Sequence, residues 1–207
     1  MSHFLVIAED ELQPESFEFT AENLEKARYH IAKYPAGRQA SAVMPLLDLV
    51  QRQYGWIPRA GVEYVAQMLS MPSIKVWEVV SFYTMLHATP RGRHRVQVCT
   101  TTPCWLRGSD DVMAACKGKL GIGVGEVSED GVFSLEEVEC LGACVNAPVV
   151  QIDDDYYEDV DGVAMGRILD ALARGENPAP GPQIERRASA PVGGPTVLAS
   201  RQRADES

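Results

Sequence analysis

Four of the five cysteines in the sequence fall into two close pairs, Cys99-Thr-Thr-Thr-Pro-Cys104 and Cys140-Leu-Gly-Ala-Cys144. Each pair follows a stretch that alternates like a strand: Val96 and Val98 lead into Cys99, and Phe133 to Glu139 lead into Cys140. Both pairs are therefore expected on loops at strand ends. If the helix between those strands makes them parallel neighbours, both loops share one sheet edge and four sulfurs converge. A two-iron cluster takes four thiolates, two per iron, because bridging sulfides fill the remaining positions. Loops with four and three intervening residues can wrap such a group, and Gly142 lets backbone amides approach sulfur. Zinc is the rival, since structural zinc also takes four thiolates, but its ligand pairs are usually tighter Cys-x-x-Cys knuckles. Spacing thus favours the cluster and leaves zinc and structural thiols open. A thioredoxin-type dithiol is disfavoured, because no Cys-x-x-Cys pair occurs. Cys116 shares a helical face with Val112, Met113 and Leu120 and reads as a core residue.

The elements that must position these thiols come in two kinds. Residues 1–90 read as a small helical bundle. Thr20 caps a helix carrying Leu24, Ala27, Ile31 and Tyr34, and Pro35 ends it. A second helix runs from Ala40 to Tyr54 with Gly55 as its stop. Pro58 precedes a third, and Pro72-Ser73 open a fourth carrying Val76, Trp77, Val80 and Tyr83. Residues 91–175 change pattern. After the strand into Cys99, Ser109 or Asp110 caps a helix through Leu120, and the strand into Cys140 follows. Val149–Asp153 and Tyr156–Asp159 read as a hairpin turning at Asp154-Asp155, and a last helix runs from Val163 to Arg174. Strand, helix, strand, hairpin and helix is the order of a thioredoxin-like α/β unit. Residues 176–207, rich in Pro, Gly, Ala and Ser, read as a flexible tail.

Composition narrows the possibilities. An apolar fraction of 45% with 23% charged residues suits a soluble globular chain of 207 residues. A formal net charge of −10 argues against a nucleic-acid partner, which needs a basic face. No stretch approaches the roughly 18–20 apolar residues of a membrane span, so no direct membrane insertion is expected. The N-terminus lacks a basic region ahead of an apolar one and is too acidic for a transit peptide, which implies a cytosolic protein or one already processed. An odd cysteine count without a secretory signal argues against a disulfide framework.

Other features carry less chemistry. Gly121-Ile-Gly-Val-Gly125 has Glu126 where a dinucleotide fingerprint needs its third glycine, so it reads as a helix stop and turn. His3, His30, His87 and His94 are scattered without ligand spacing. Trp56, Trp77 and Trp105 read first as packing residues, with shielding of the site the alternative for Trp105, which directly follows Cys104. Asp153, Asp154, Asp155, Glu158, Asp159 and Asp161 follow the second pair, with Glu136, Glu137 and Glu139 before it. Carboxylates beside a cluster oppose the negative charge gained on reduction, so a low potential is expected.

The stretch Cys140-Leu-Gly-Ala-Cys-Val-Asn-Ala-Pro148, with Cys99-x-x-x-x-Cys104 before it, resembles the thioredoxin-like [2Fe–2S] subunit of respiratory complex I, NADH:quinone oxidoreductase. Tyr54-Gly-Trp-Ile-Pro58 and Ser81-Phe-Tyr-Thr-Met85 resemble that family's N-terminal region, so the likeness spans residues 18–175. It implies one [2Fe–2S] cluster on Cys99, Cys104, Cys140 and Cys144, and electron transfer without a complete active site in this chain alone. FMN and NAD are then expected on a partner, the flavin- and NADH-binding subunit, through which the chain joins the peripheral arm. The resemblance also implies a bacterial cytoplasmic location at the inner membrane, or the mitochondrial matrix after processing. Alternatives are the matching diaphorase subunit of an NAD-linked hydrogenase or formate dehydrogenase and, from another class, a zinc-stabilised interaction module.

Overall fold

A computed structural model of the chain describes residues 6–194 and 197. Two compact units divide it, Met1–Arg91 and Gly92–Ser207.

The first unit is helical because apolar residues recur at helical spacing between Pro and Gly breaks. Helix α1 (Ala21–Ala32) starts where the Thr20 hydroxyl accepts a bond from the Asn23 amide at 3.3 Å. Helix α2 (Val43–Tyr54) follows a 3-10 turn over Gln39–Ala42, so the regular helix begins three residues later than its apolar pattern suggested. Gly55 ends α2 with φ of 94°, a conformation that suits glycine. Helices α3 (Arg59–Leu69) and α4 (Ser73–Phe82) complete the bundle; α4 stops one residue short of Tyr83, which is extended. Leu46, Leu47, Val50, Val62, Val65 and Val76 are fully buried in its core. Each such side chain stabilises the fold by about 1.5–3 kcal/mol. The Gln53 side-chain carbonyl ties α2 to the start of α1, accepting from the Thr20 amide at 3.1 Å and the Asn23 side chain at 2.9 Å.

The second unit is built on a five-stranded sheet in the order β2-β1-β3-β4-β5. Strand β1 (His94–Cys99) leads into a one-turn helix α5 (Thr102–Leu106), then α6 (Ser109–Leu120), then β2 (Phe133–Val138). Strands β1 and β2 are parallel, with His94 opposite Phe133 and Cys99 opposite Val138. Both cysteine-bearing strands therefore end at the same edge, as the alternation in sequence implies. Strand β3 (Val149–Ile152) runs antiparallel to β1, and β4 (Asp155–Glu158) antiparallel to β3. The turn between them is Asp153-Asp154, one residue earlier than expected, and Asp153 takes φ of 55° to make it. Helix α7 (Gly162–Ala173) is capped by the Asp161 carboxylate, which accepts from the Ala164 amide at 2.7 Å. Val96, Val98, Leu135 and Val150 pack with Val112, Cys116, Met165 and Leu169 from α6 and α7.

Two local features differ from the reading of the sequence. Cys104 lies inside α5, not on an open loop; Thr101, Thr102 and Pro103 start a helix of one turn, too short to leave an apolar period. Helix α6 is entered from Gly108 at φ of 98°, so Ser109 is its first residue and its hydroxyl turns inward.

The Pro/Gly/Ala-rich segment contains no helix among its described residues, as its composition implies, but its first half is fastened. Strand β5 (Gly181–Pro182) pairs in parallel with Tyr157 and Glu158 of β4. The rest of that tail, from residue 195 on and Val197 apart, lies outside the described residues.

Candidate functional site

Cys99 is the last residue of β1 and is buried, as is Cys104 on α5. Cys140 follows β2 by two residues, and Cys144 opens a 3-10 turn over Cys144–Asn146; both are exposed. Cys99 and Cys104 pack with Ala147 and Val149 in a small apolar nest, flanked by Leu141, Ala143 and Tyr156 from the loop and strand around the second pair. The site is thus two-sided, one pair set into the fold and the other at its surface.

Hydrogen bonds to sulfur join the two loops. The Leu141 amide is turned toward the Cys99 sulfur and the Val149 amide toward that of Cys104. The Gly142 amide lies 3.4 Å from the Cys140 sulfur, at a glycine whose φ of 83° turns that amide toward it. Cys140 and Cys144 sulfurs are 3.4 Å apart. The Thr101 hydroxyl is 3.2 Å from the Cys99 sulfur and also reaches Cys140, so it stands between the pairs. Among the described residues no three His, Cys, Asp or Glu side chains meet as a cage for a single metal ion. The thiols are instead linked pairwise and through Thr101.

These contacts divide the thiols electrostatically. Burial pushes Cys99 up, but bonds from Thr101, the Leu141 amide and Cys104 outweigh it and hold the thiol below the ordinary range. Cys104 is pushed up to about 12, chiefly by burial and then by Cys99. The Gly142 amide and then Cys144 hold Cys140 down, while Cys140 and burial hold Cys144 up. One thiol in each pair gives up its proton more readily than its neighbour, which is held back first by burial at Cys104 and by the bond with Cys140 at Cys144, with repulsion between thiolates adding to it. A cationic group bridging both pairs removes that repulsion. Four sulfurs from two strand ends, with amides turned toward them, form a donor set that fits a two-iron, two-sulfide cluster.

Around the site, the Tyr156 hydroxyl donates to the Leu141 carbonyl at 2.9 Å, and the Thr100 hydroxyl to Glu137 at 2.9 Å. Trp105 does not fold over the thiols; it is 56% exposed, with its indole N–H donating to Asp110 at 3.1 Å. Cys116 is fully buried between β1 and the helices, and burial pushes its thiol up to about 12. Asp153–Asp155 sit at the far end of the sheet, where Asp153 bonds the His94 ring at 2.8 Å and the Arg95 amide at 2.9 Å. The acidity expected around the thiols is therefore partly elsewhere. Thr101 escapes a reading of the sequence, although a hydroxyl two residues past a strand-end cysteine is a recognisable signal.

The thioredoxin-like [2Fe-2S] ferredoxin family matches residues 27–173. A subunit of the NADH-quinone oxidoreductase of Rickettsia conorii is 56% identical over 158 residues, 76% of this chain and 95% of that protein. The corresponding subunit of Rickettsia bellii is 58% identical over the same shares. An NAD+-reducing [NiFe]-hydrogenase in its H2-reduced state shares the fold, with a TM-score of 0.56 at 16% identity over 64% of this chain and 22% of that one. Among the described residues no helix is long and apolar enough to cross a membrane. The chain belongs to the thioredoxin-like [2Fe-2S] ferredoxin family, alongside these NADH-quinone oxidoreductase subunits.

Proposed function

We propose that the chain is the electron-transfer subunit of an NADH-quinone oxidoreductase. In this reading it holds one [2Fe–2S] cluster on Cys99, Cys104, Cys140 and Cys144, next to a partner subunit that binds FMN and oxidises NADH. The observation that carries the ligand assignment is the convergence of these four thiols at one sheet edge, linked by Thr101 and by amides to sulfur. The cluster, when bound, supplies a one-electron acceptor and donor. The chain's own residues do the rest. Leu141, Gly142 and Val149 direct backbone N–H groups at sulfur and so favour its charged form. The buried pair excludes water from one side of the site, and the exposed pair gives electrons a short way in and out.

Among the described residues the Gly-rich stretch is not built to hold a nucleotide. Gly121–Gly125 ends α6 at a left-handed glycine and does not open a helix toward a phosphate. The flavin-bearing partner supplies the hydride step, and in such an assembly the chain lies on the cytoplasmic side of a bacterial inner membrane. Identity above 50% over nearly the whole of the NADH-quinone oxidoreductase relatives favours this reading over the hydrogenase, whose likeness concerns the fold.

The test is spectroscopic. Purified protein should be coloured, contain two irons and two sulfides, and give an electron resonance signal with dithionite but none with NADH alone. Addition of the flavin-bearing partner should make NADH effective. Colourless protein carrying one zinc on the four thiols would overturn the reading.

A further inference from the structure

Arg186 and Asp159 form an ion pair in which each side chain is only 6% exposed. The pairs Lys26–Glu22, Lys119–Asp170 and Arg174–Glu176, by contrast, keep every partner at least 42% exposed. Taking two charges out of water is costly unless the donors are used. Here they are used. Arg186 Nη1 donates to both Asp159 oxygens, at 3.0 and 3.3 Å, and to the Val145 carbonyl at 3.4 Å. Nε and Nη2 donate to the Ala190 carbonyl at 3.0 and 2.6 Å, so residues 181–190, a strap that begins with β5, fold around their own arginine.

The far side of this pair leads to Cys144. The Asp159 amide donates to the Asn146 carbonyl at 2.7 Å. The buried Asn146 side chain donates to Glu158 and, at 3.1 Å, to the Ala188 carbonyl. The strap thus touches both residues that follow Cys144 in its 3-10 turn, Val145 at its carbonyl and Asn146 at its side-chain amide. Cys144 itself is exposed and has no core packing to hold it. Arg186 lies outside residues 27–173, the part that the family matches.

We infer that Arg186 is a positioning residue for the Cys144 turn, held on Asp159 so that residues 181–190 act as a clamp on the exposed half of the thiol site. The inference rests on the proposed function, because Cys144 matters only if it is a ligand. Arg186 touches neither sulfur nor any group bound there; it acts through Val145 and Asp159.

The full-length protein tests this, with and without its cluster, as Arg186→Ala, Arg186→Lys and the double variant Arg186→Ala/Asp159→Asn. The double variant carries no buried lone carboxylate and reads the inference even if Arg186→Ala alone does not fold. Hydrogen exchange in the cluster-free protein should quicken in peptides covering 143–147 and 158–160, while peptides of β1 and α6 stay unchanged. Release of iron to a chelator should speed up by roughly tenfold, equal to about 1.4 kcal/mol of easier local opening. The electron resonance line shape of reduced protein should change in Arg186→Ala and return in Arg186→Lys. Unchanged exchange at 143–147, or exchange rising equally in β1 and α6, overturns the inference. Exchange changes as expected in a protein that binds only zinc would instead sink the cluster reading and leave the clamp standing.

Discussion

The backbone N–H of Leu141 is turned toward the sulfur of Cys99, so the loop after β2 meets the end of β1. Together with the Thr101 hydroxyl, that contact couples the two cysteine pairs, and it sets the first expectation. Serine at Cys99, Cys104, Cys140 or Cys144 should cost the visible absorption or leave it severely weakened. Cys116→Ala should keep both absorption and electron resonance, losing only roughly 1 kcal/mol of stability for a small cavity. A bleached but folded Cys116→Ala protein would contradict the ligand set.

Thr101 offers a finer test. Its hydroxyl reaches sulfur in both pairs, and such bonds favour the more negative, reduced state. Thr101→Val should therefore lower the reduction potential. With a hydrogen bond worth about 1 kcal/mol and a tenfold change equal to about 59 mV for one electron, the fall should be on the order of 40 mV. Redox titration followed by electron resonance measures it; a rise in potential would show that the hydroxyl is turned elsewhere.

The acidic residues separate into two groups. Asp153 lies opposite Arg95, four residues before Cys99, which at about 3.3 Å per residue is roughly 13 Å away. That exceeds the screening length of about 8 Å at physiological salt. Changing Asp153, Asp154 and Asp155 together to Asn should leave the potential within error at that ionic strength. Glu137, whose carboxylate accepts from Thr100 beside Cys99, is the closer charge, and Glu137→Gln should raise the potential measurably. Equal shifts from both changes would place the hairpin nearer the thiols than its register allows.

The unit boundary gives a fourth prediction. Gly92–Ser207 contains its own apolar cores and all four thiols, so expressed alone it should load its cluster. Its first residue must stay glycine, because a Cβ there would stand 2.2 Å from the carbonyl carbon of Phe133. The bundle instead exposes Ile74, Phe82 and Met85, a surface suited to assembly. Removing it should weaken binding to the proposed flavin-bearing partner by roughly 30-fold or more, the loss of about 2 kcal/mol that one strong contact residue carries. Full affinity in the shortened protein, measured by calorimetry, would assign the bundle a supporting role only.

Long periodic elements were legible because their pattern is set by burial. Leu46, Leu47 and Val50 mark α2, and Val96 and Val98 mark β1, whatever the rest of the chain does. The two strand ends, and hence the meeting of the cysteine pairs, follow from the same signal. Short elements left none. One turn of helix at Thr102–Leu106 and two residues of strand at Gly181–Pro182 are fixed by tertiary contacts, not by a repeat. Arg186 was illegible for a related reason: in a Pro- and Ala-rich stretch an arginine reads as solvated, and only the fold brings Asp159 to it. Aspartates close in sequence to Cys144 also misled, since an antiparallel hairpin carries Asp153 to the opposite end of the sheet.

Strand β5 has a further consequence, for solubility. Without it β4 would be the outermost strand, presenting unpaired N–H and C=O groups as a template for another chain. Gly181 and Pro182 occupy that row, and the Gln183 amide continues it by donating to the Glu158 carbonyl at 2.8 Å. Pro182 has no N–H of its own to offer outward, so the new border is a poor one to extend. A segment whose composition suggests an idle tail thus acts as a gatekeeper against edge-to-edge aggregation while the protein waits for its assembly.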